Sequence, residues 1–347
     1  MSEPAGEAAP PPRRKPTAHD VAAQAGVSQS AVSRAFSDGR SVSPAMRERV
    51  LLAAAALGYQ PNLIARSLIT RRTGMVGVAV GSLANHVYPG MLDALSRRLQ
   101  AVGYAILLLP APRDADADPA LEHIMRYQVD ALVLAATTLS SRLADECRAA
   151  GIPVILFNRT TATASASSVT GANREGGAEI AGLFADGGHR RPAFIAGPDD
   201  ASTSRDRQAG FAEGCAARGL PAPIVERGGF SAEGAGRAMA ALLSRADRPD
   251  AVFCASDHMA IAAMDVARYG FGLRVPEDVS IVGFDDAPPA AWPAYALTTY
   301  ALPVEEMVVA TVGLLLECLN DASAAPRRVV VPGRLVVRAS CRVVGSK

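Results

Sequence analysis

Basic side chains are concentrated near one end of the chain, where they could neutralise a polyanion. Residues 13–72 carry a net charge of +7, whereas residues 73–347 carry a net charge of −4. A small basic segment beside a mildly acidic remainder is the electrostatic pattern of a nucleic-acid binder. The alternative is a solvated basic face without a partner. The basic residues are Arg13, Arg14, Lys15, Arg34, Arg40, Arg47, Arg49, Arg66, Arg71 and Arg72.

Motifs for catalysis or metal binding are absent from the sequence. It contains no G-x-S-x-G, H-E-x-x-H, P-loop or G-x-G-x-x-G pattern. Asp285 and Asp286 are adjacent in the chain, so their side chains diverge. They therefore cannot flank a scissile bond as the two carboxylates of a glycosidase do. The five histidines are scattered, and the five cysteines form no C-x-x-C pair. We therefore expect no catalytic residues, no metal site and no cofactor.

Length and composition favour a globular protein of two or three compact units. Of the 347 residues, 49% are hydrophobic and 20% are charged, which is enough apolar side chain for a large core. No apolar run reaches the roughly 18 residues of a membrane helix, and the N-terminal segment lacks the apolar core of a secretory signal. With an odd number of unpaired cysteines, these features predict a soluble cytoplasmic protein without a membrane partner.

The basic segment begins with two short predicted helices. Thr17 and Asp20 have the spacing of a capping box, and Gly26 is a suitable stop for the helix they begin. Ser28 then caps a second helix over about residues 29–36. Two short helices separated by a four-residue break that contains glycine are typical of a helix-turn-helix.

A third helix and a marginal segment follow. Ser43 caps the third helix, Pro44 occupies its first position, and Gly58 ends it. Residues 61–68 make only about two helical turns, too few to be stable alone in water. We therefore expect this segment to be ordered by a partner.

Three segments of this region carry a family resemblance. AGVSQSAVSR, LGYQPN and ARSL occur in that order at residues 25–34, 57–62 and 65–68. The region resembles the head-piece and hinge of the lactose-repressor (LacI/GalR) family. The resemblance implies a helix-turn-helix DNA-binding domain (17–60) and a hinge helix with linker (61–72). Residues 1–16 precede them, and their Pro/Ala/Gly-rich composition predicts a disordered tail.

The same resemblance implies how double-stranded DNA is contacted. It places the second helix in the major groove, with Gln29, Ser30 and Arg34 at the family's base-contacting positions. Arginine can bond to guanine O6 and N7, and glutamine can bond to adenine N6 and N7. Phosphate contacts are implied for Thr17, Ser28 and Asn62, each of which could instead be only a cap or a solvated surface residue.

Leu68 is expected to have a mechanical role at the operator. In the family, the leucine at this position wedges into the minor groove at the operator centre and kinks the duplex. Arg66 is the companion candidate for the minor groove or a phosphate. The alternative is that Leu68 packs inside the protein against Leu63 or Ile64.

From residue 75 the sequence alternates short apolar runs with amphipathic helical segments. This alternation predicts parallel, doubly wound α/β structure, and eight such units exceed one sheet. Predicted strands lie at residues 75–80, 105–109, 131–134, 154–157, 193–195, 224–225, 251–254 and 280–283. Predicted helices lie at about 89–102, 119–128, 141–150, 174–186, 204–218, 232–244, 258–269 and 304–319. Residues 158–173 are expected to form a crossover between two halves.

The remainder also resembles the family and, through it, periplasmic sugar-binding proteins. The matching segments are GHRRPAFIAGP (188–198), RQAGF (207–211), SDHMAIAAM (256–264) and LRVPEDVSIVGFDD (273–286). The predicted fold is a small all-α helix-turn-helix head plus an α/β periplasmic-binding-protein-like body with two doubly wound parallel-sheet subdomains. The body spans 73–347, with an N-subdomain of about 73–160 and 304–331 and a C-subdomain of about 161–303 and 332–344.

Ligands of such folds bind beyond the carboxyl ends of the strands, here in the cleft between the halves. The resemblance places a small-molecule effector, a sugar or sugar derivative, against a set of cleft residues. Arginine and aspartate suit vicinal hydroxyls, and an aromatic ring suits the C–H side of a sugar. The expected effector-binding residues are Tyr88, Thr203, Arg207, Phe230, Ser256 and Asp285, with Asn85 and Arg159 as weaker candidates.

Each of the main cleft candidates has a structural alternative. Asp285 and Asp286 could cap the following turn, and Phe230 could belong to the core. Arg207 could be an ion-pair partner of Asp206 or Glu213. Ser256 and Leu302 stand where better-known sugar repressors have hydrogen-bonding side chains, so a plain galactoside or purine effector is not implied.

The resemblance therefore implies a transcriptional regulator, a repressor, that binds a palindromic operator as a homodimer and responds to a sugar-like effector. The body helices 89–102 and 304–319 are expected to form the subunit contact. Effector binding would change the angle between the halves and move the hinges, and release of DNA is the expected direction. The alternative hypotheses are a sugar-binding protein of the same fold without specific operator binding and a sugar-acting enzyme.

Overall fold

The computed structural model divides into two compact units, Met1–Thr73 and Gly74–Lys347, which we call the head and the body. It describes residues 14, 16–36, 42–60, 72–81, 83, 85–110, 126–135, 146–147, 149–161, 166–321 and 323–343.

The head contains the three predicted helices, α1 (Ala18–Ala25), α2 (Gln29–Ala35) and α3 (Pro44–Leu57). The expected caps are confirmed. Thr17 and Asp20 form a capping box, Ser28 accepts from the backbone N–H of Ala31, and Ser43 accepts from that of Met46. Gly26 and Gly58 end α1 and α3 with φ of 63° and 67°, a left-handed conformation that glycine adopts without strain.

A small apolar core joins the three head helices. Val21 of α1, Val32 of α2 and Val50 of α3 are at most 1% exposed and belong to one cluster. Short helices are marginal alone, so this shared burial stabilises each of them.

The first sheet of the body is parallel throughout. Its strand order is β11-β5-β4-β3-β1-β2. The strands are β1 (Met75–Val80), β2 (Ala105–Pro110), β3 (Ala131–Ala135), β4 (Val154–Phe157), β5 (Ser167–Gly171) and β11 (Arg328–Val331).

The second sheet has the order β12-β10-β9-β8-β6-β7. Its strands are β6 (Pro192–Ala196), β7 (Ile224–Arg227), β8 (Ala251–Cys254), β9 (Ser280–Asp285), β10 (Thr298–Ala301) and β12 (Arg334–Val336). All its neighbours are parallel except β10 and β12, which pair antiparallel with Tyr300 opposite Leu335.

The described body helices lie close to the predicted ranges. They are α4 (Val87–Ala101), α5 (Asn173–Asp186), α6 (Ser202–Ala217), α7 (Ala232–Leu243), α8 (Asp257–Asp265) and α9 (Val304–Asn320). A π-helical turn, Val266–Gly270, continues α8. The helices predicted at 119–128 and 141–150 lie mostly outside the described residues. Within the described ranges, every helix is either too short or too polar to span a bilayer.

The predicted crossover at residues 158–173 is wrong in its second part. Residues Ser167–Gly171 form β5, which is buried between β4 and β11 in the first sheet. The chain therefore passes to the second sheet after Gly171 rather than near residue 161. The sequence SSVTG lacks the apolar run on which the eight strand predictions rested, so β5 was missed, as were β10, β11 and β12. The burial of β5 comes from the strands beside it.

An aromatic series runs through the core of the second sheet towards its carboxyl edge. The rings of Phe211 and Phe253 lie 5.2 Å apart, those of Phe253 and Phe284 lie 6.2 Å apart, and those of Phe284 and Tyr300 lie 4.9 Å apart. Such contacts add to the stabilisation from burial alone. Phe284 of this series directly precedes Asp285, the last residue of β9.

Candidate functional site

The two sides of α2 differ sharply in exposure. Ala31, Val32 and Ala35 are buried in the head core. The predicted base-contacting residues Gln29, Ser30 and Arg34 are all exposed. A helix with one face fixed in a small core presents its opposite face as a rigid surface, which is the arrangement needed for major-groove contact.

Hydrogen bonds organise this exposed face. The Ser28 and Ser30 hydroxyls lie 3.0 Å apart, and Nε of Arg34 donates to the backbone oxygen of Ser30 at 3.2 Å. The hydroxyl and backbone N–H of Thr17 both donate to Asp20, which lowers the pKa of that carboxyl. Thr17 and Ser28 thus serve as caps, and their predicted phosphate contacts remain predictions.

The predicted DNA contacts of Asn62, Arg66 and Leu68 fall in the hinge segment. These three residues lie outside the described residues.

In the body, the centre of the candidate site is a buried guanidinium. Arg207 of α6 is 2% exposed. Its Nε donates to Oδ1 of Asn173 at 2.8 Å, one Nη donates to the backbone oxygen of Ala255, and the other donates to Oδ1 of Asp285 at 3.2 Å. Its carbon Cζ lies 3.7 Å from the centroid of the Phe284 ring. These contacts fix the guanidinium in one orientation.

The hypothesis that Arg207 pairs with Asp206 or Glu213 is wrong. Arg207 pairs with Asp285, whereas Glu213 pairs with Arg174 on the exposed side of the helix pair α5–α6. The side chain of Asp286 bonds to Arg338 at 2.7 Å. Neither aspartate therefore acts mainly as a cap of the following turn.

Asp285 lies at the carboxyl end of β9, where the two sheets of the body meet. It is 3% exposed, has a φ of 121°, and accepts a hydrogen bond from Asn85, which follows β1 of the first sheet. Burial raises the pKa of Asp285 to about 6, although Arg207 and Asn85 oppose that shift. The weaker candidate Asn85 thus joins the Arg207–Asp285 pair across the two sheets.

A second contact between the sheets involves Arg159, which follows β4. Its Nη1 donates to Oγ1 of Thr203 at 3.1 Å, and its Cζ lies 5.5 Å from the centroid of the Phe230 ring. Phe230 is half-buried, has a φ of 53°, and packs partly against the core. Its ring is therefore neither wholly core nor wholly solvent-exposed.

The other two predicted cleft residues are buried. Tyr88 of α4 is 6% exposed and lies close enough to Arg207 to affect its pKa. Ser256 is 1% exposed, and its hydroxyl accepts from the backbone N–H of Met259 as the cap of α8. Ser256 thus has a structural role next to Ala255, whose carbonyl accepts from Arg207.

Sequence reasoning missed two asparagines of this site. Asn173 orients Arg207, as described above. Asn158, at the carboxyl end of β4, is 5% exposed with a φ of 53°, and its Oδ1 has no hydrogen-bond partner among the described residues. A buried amide oxygen without a hydrogen-bond partner destabilises the folded state. At the carboxyl edge of a parallel sheet, where ligands of such folds bind, this oxygen is available to a ligand. Its position directly after a predicted strand was the available signal.

A cavity of about 590 Å³ opens beside Asp285. This volume lies within the range of about 300–1,000 Å³ that is usual for small-molecule sites. Its walls include His86 and Val87 at the start of α4, Asp285, and Leu302 after β10. Of the six predicted effector-binding residues, Asp285 lines this cavity, and Arg207, Thr203, Phe230, Ser256 and Tyr88 do not.

Comparison with known proteins gives matches over both units. The family described as "Bacterial regulatory proteins, lacI family" matches residues 17–62, and "Periplasmic binding protein-like domain" matches residues 181–341. The HTH-type transcriptional regulator CelR of Thermobifida fusca is 34% identical over 94% of this chain and 99% of its own.

Two solved structures extend the comparison. A CelR–cellobiose complex has a TM-score of 0.72 at 33% identity, and a lac repressor dimer bound to operator and the anti-inducer ONPF has a TM-score of 0.82 at 28% identity. Each covers 94% of this chain and 99% of the compared chain. With its capped helix-turn-helix head and its two-sheet body, the chain belongs to the lacI family of bacterial regulatory proteins.

Proposed function

We propose that the chain is a sequence-specific DNA-binding transcriptional regulator, a repressor, whose operator affinity is controlled by a sugar bound in the body. The observation that carries the DNA-binding part is the exposed face of α2, where Gln29, Ser30 and Arg34 stand opposite a buried alanine and valine face. Guanidinium and carboxamide groups on one helix face can specify bases. This face favours a regulator over a sugar-binding protein that lacks operator binding.

We assign the effector to the carboxyl edge of the two sheets, around the Arg207–Asp285 pair. Asp285 and Asn158 offer acceptors, Arg159 offers donors, and Phe230 offers part of a ring to the C–H face of a sugar. The complex of cellobiose with CelR makes cellobiose the first sugar to test.

The cavity that shares Asp285 with this site has a mainly acidic wall. Asp285, Asp286, Glu305 and Glu306 line it against a single arginine, Arg334, so we expect an uncharged sugar to be favoured over a phosphorylated one.

We further propose that the regulator acts as a homodimer on a palindromic operator, because two identical heads match two symmetric half-sites. The lac repressor structure described above is a dimer on its operator. Leu68 and Arg66 of the hinge segment would enter the minor groove at the centre, and Asn62 would contact a phosphate. Effector binding would change the angle between the sheets and thereby release the operator.

Selection of binding sites from random duplex DNA tests the proposal. The purified full chain, incubated with a random duplex library, is expected to enrich one palindromic sequence. The same protein should be stabilised against heat by one of a panel of neutral sugars that begins with cellobiose. Recovery of duplexes without any common sequence would refute the hypothesis of a specific regulator and favour a sugar-binding protein without operator binding.

A further inference from the structure

Asp257, the first residue of α8, is a buried carboxylate that the proposed effector contacts do not use. It is 1% exposed. Its Oδ2 accepts from the backbone N–H of Ala287 at 2.7 Å, and its Oδ1 accepts from the hydroxyl of Thr299 at 2.6 Å. Both partners flank Asp285, since Ala287 lies two residues later and Thr299 lies on the neighbouring strand β10.

The backbone between these two hydrogen-bonded positions is strained. Asp285 and Asp286 both have positive φ, 121° and 56°, in a region that residues other than glycine rarely occupy. Such a conformation persists only where surrounding contacts impose it. The hydrogen bonds of Asp257 and Thr299 are contacts of this kind, because Thr299 also accepts from the backbone N–H of Asp286 at 3.4 Å.

The strand itself leaves room for this carboxylate. A Cβ atom on Gly283 of β9 would lie 2.1 Å from Oδ1 of Asp257. Glycine is therefore required two residues before Asp285, so that the Asp257 side chain can pass over the strand to Thr299.

We propose that Asp257 is a positioning residue of the effector site: its two hydrogen bonds clamp the turn after β9 and hold the Asp285 carboxylate against Arg207. This inference rests on the function proposed for the Arg207–Asp285 pair. Burial and the nearby Asp285 raise the pKa of Asp257 to about 7, so the carboxylate is held here at a cost to its ionised form. An apolar side chain would avoid that cost but could accept neither hydrogen bond.

The test follows the Nε–H resonance of Arg207 in the full chain labelled with ¹⁵N-arginine and assigned by Arg207→Lys. Asp257→Ala and Thr299→Val are expected to shift or broaden this resonance and to speed its hydrogen exchange by at least tenfold. Thr299→Ser keeps the hydroxyl that donates to Asp257, so it should preserve the resonance. This rescue separates positioning from a loss of packing.

Ser340→Ala provides a matched control within the same pair of strands. Ser340 is fully buried, accepts from the backbone N–H of Thr298 and donates to the carbonyl of Ile281, at the opposite end of β9 and β10. An unchanged Arg207 resonance in Thr299→Val, or an equal change in Ser340→Ala, would overturn the proposal. Thr299→Val decides the matter should Asp257→Ala fail to fold.

The proposed effector function has a separate outcome in this design. Asp285→Ala is expected to lose the sugar-induced thermal stabilisation. A normal sugar response in that variant, together with an Arg207 resonance that depends on Asp257, would retain the positioning role and refute the effector assignment.

Discussion

Arg34 and Arg207 show how their surroundings give one residue type two different uses. Arg34 stands exposed on α2, where its charge is available to the edges of bases and to phosphates. Arg207 is 2% exposed and is held by Asn173, a backbone carbonyl and Asp285. Its charge is neutralised locally, so its contribution is a fixed geometry rather than long-range attraction.

Arg34→Ala should remove sequence preference while leaving salt-dependent binding. Loss of a bidentate contact to guanine costs about 1–3 kcal/mol of discrimination against the wrong base. The measurement compares dissociation constants for the selected operator and for a scrambled duplex, over a range of salt concentrations. Gln24→Ala, an exposed position on α1, is the control. Unchanged discrimination in Arg34→Ala would refute its base-contacting role.

Some residues of the candidate site could be identified from the sequence and others could not. Arg207 and Asp285 each stand in a segment that matches the family, and the structure brings them into contact at 3.2 Å. Asn158 and Asn173 gave no comparable signal, because an asparagine after a strand or at a helix start usually serves the backbone. Their importance depends on a partner distant in the sequence, or on the lack of one.

Among the elements, the central strands could be identified from their apolar runs. The position of the other strands depends on the strands that lie beside them. β3 and β8 are fully buried and consist of continuous apolar residues. β5 contains two serines and a threonine, and β11 and β12 lie at sheet edges, where none of their residues is fully buried. Sequence patterns for such strands are weak, because their burial depends on which strand lies beside them.

The packing of α5 against α6 gives a test at this scale. A Cβ atom on Gly210 would lie 1.8 Å from the backbone oxygen of Arg174, so Gly210→Ala must push the helices apart. We expect the free energy of unfolding, measured by urea denaturation, to fall by about 1–3 kcal/mol.

Gly313→Ala is the matched control, because Gly313 is an exposed glycine within α9 and a Cβ atom added there would meet no other atom within 4 Å. There alanine should be neutral or stabilising by about 0.5–1 kcal/mol. Equal effects of the two substitutions would show that close helix approach is not what requires Gly210.

The hinge segment carries a second prediction at this scale. Leu68→Ala should reduce operator bending, because alanine is too small to wedge between base pairs. Bending is measured by energy transfer between dyes at the two ends of the operator duplex. Leu63→Ala is the control, and an unaltered bend angle in Leu68→Ala would exclude the wedge.

The whole molecule combines a basic head with a body that buries carboxylates near the carboxyl ends of its strands. Burial raises the pKa of Asp257 to about 7 and that of Asp285 to about 6. In the opposite direction, burial lowers the pKa of His189 to about 4. Stability therefore changes with pH through groups whose effects oppose one another between about pH 4 and pH 7.

Comparison of the chain with Asp257→Asn isolates one of these effects. The folded state holds a proton on Asp257 that the unfolded chain loses near pH 4, so this contribution is present below pH 4 and is lost as the pH rises through 7. The chain should therefore lose stability relative to Asp257→Asn over that window, by at most about 1.4 kcal/mol per pH unit. His189 contributes equally to both proteins. A pH-independent difference in melting temperature would contradict the prediction.

Sugar and operator binding are expected to be coupled, and coupled sites change each other's affinity reciprocally. The decisive measurement is the dissociation constant for the selected operator, with and without the sugar that stabilises the protein, in the full chain and in Asp285→Ala. We predict that the sugar weakens operator binding by about 5–150-fold in the chain and leaves Asp285→Ala unaffected, with equal sugar-free affinities. Equal operator affinity with and without bound sugar in the unsubstituted chain would show that the two sites are not coupled.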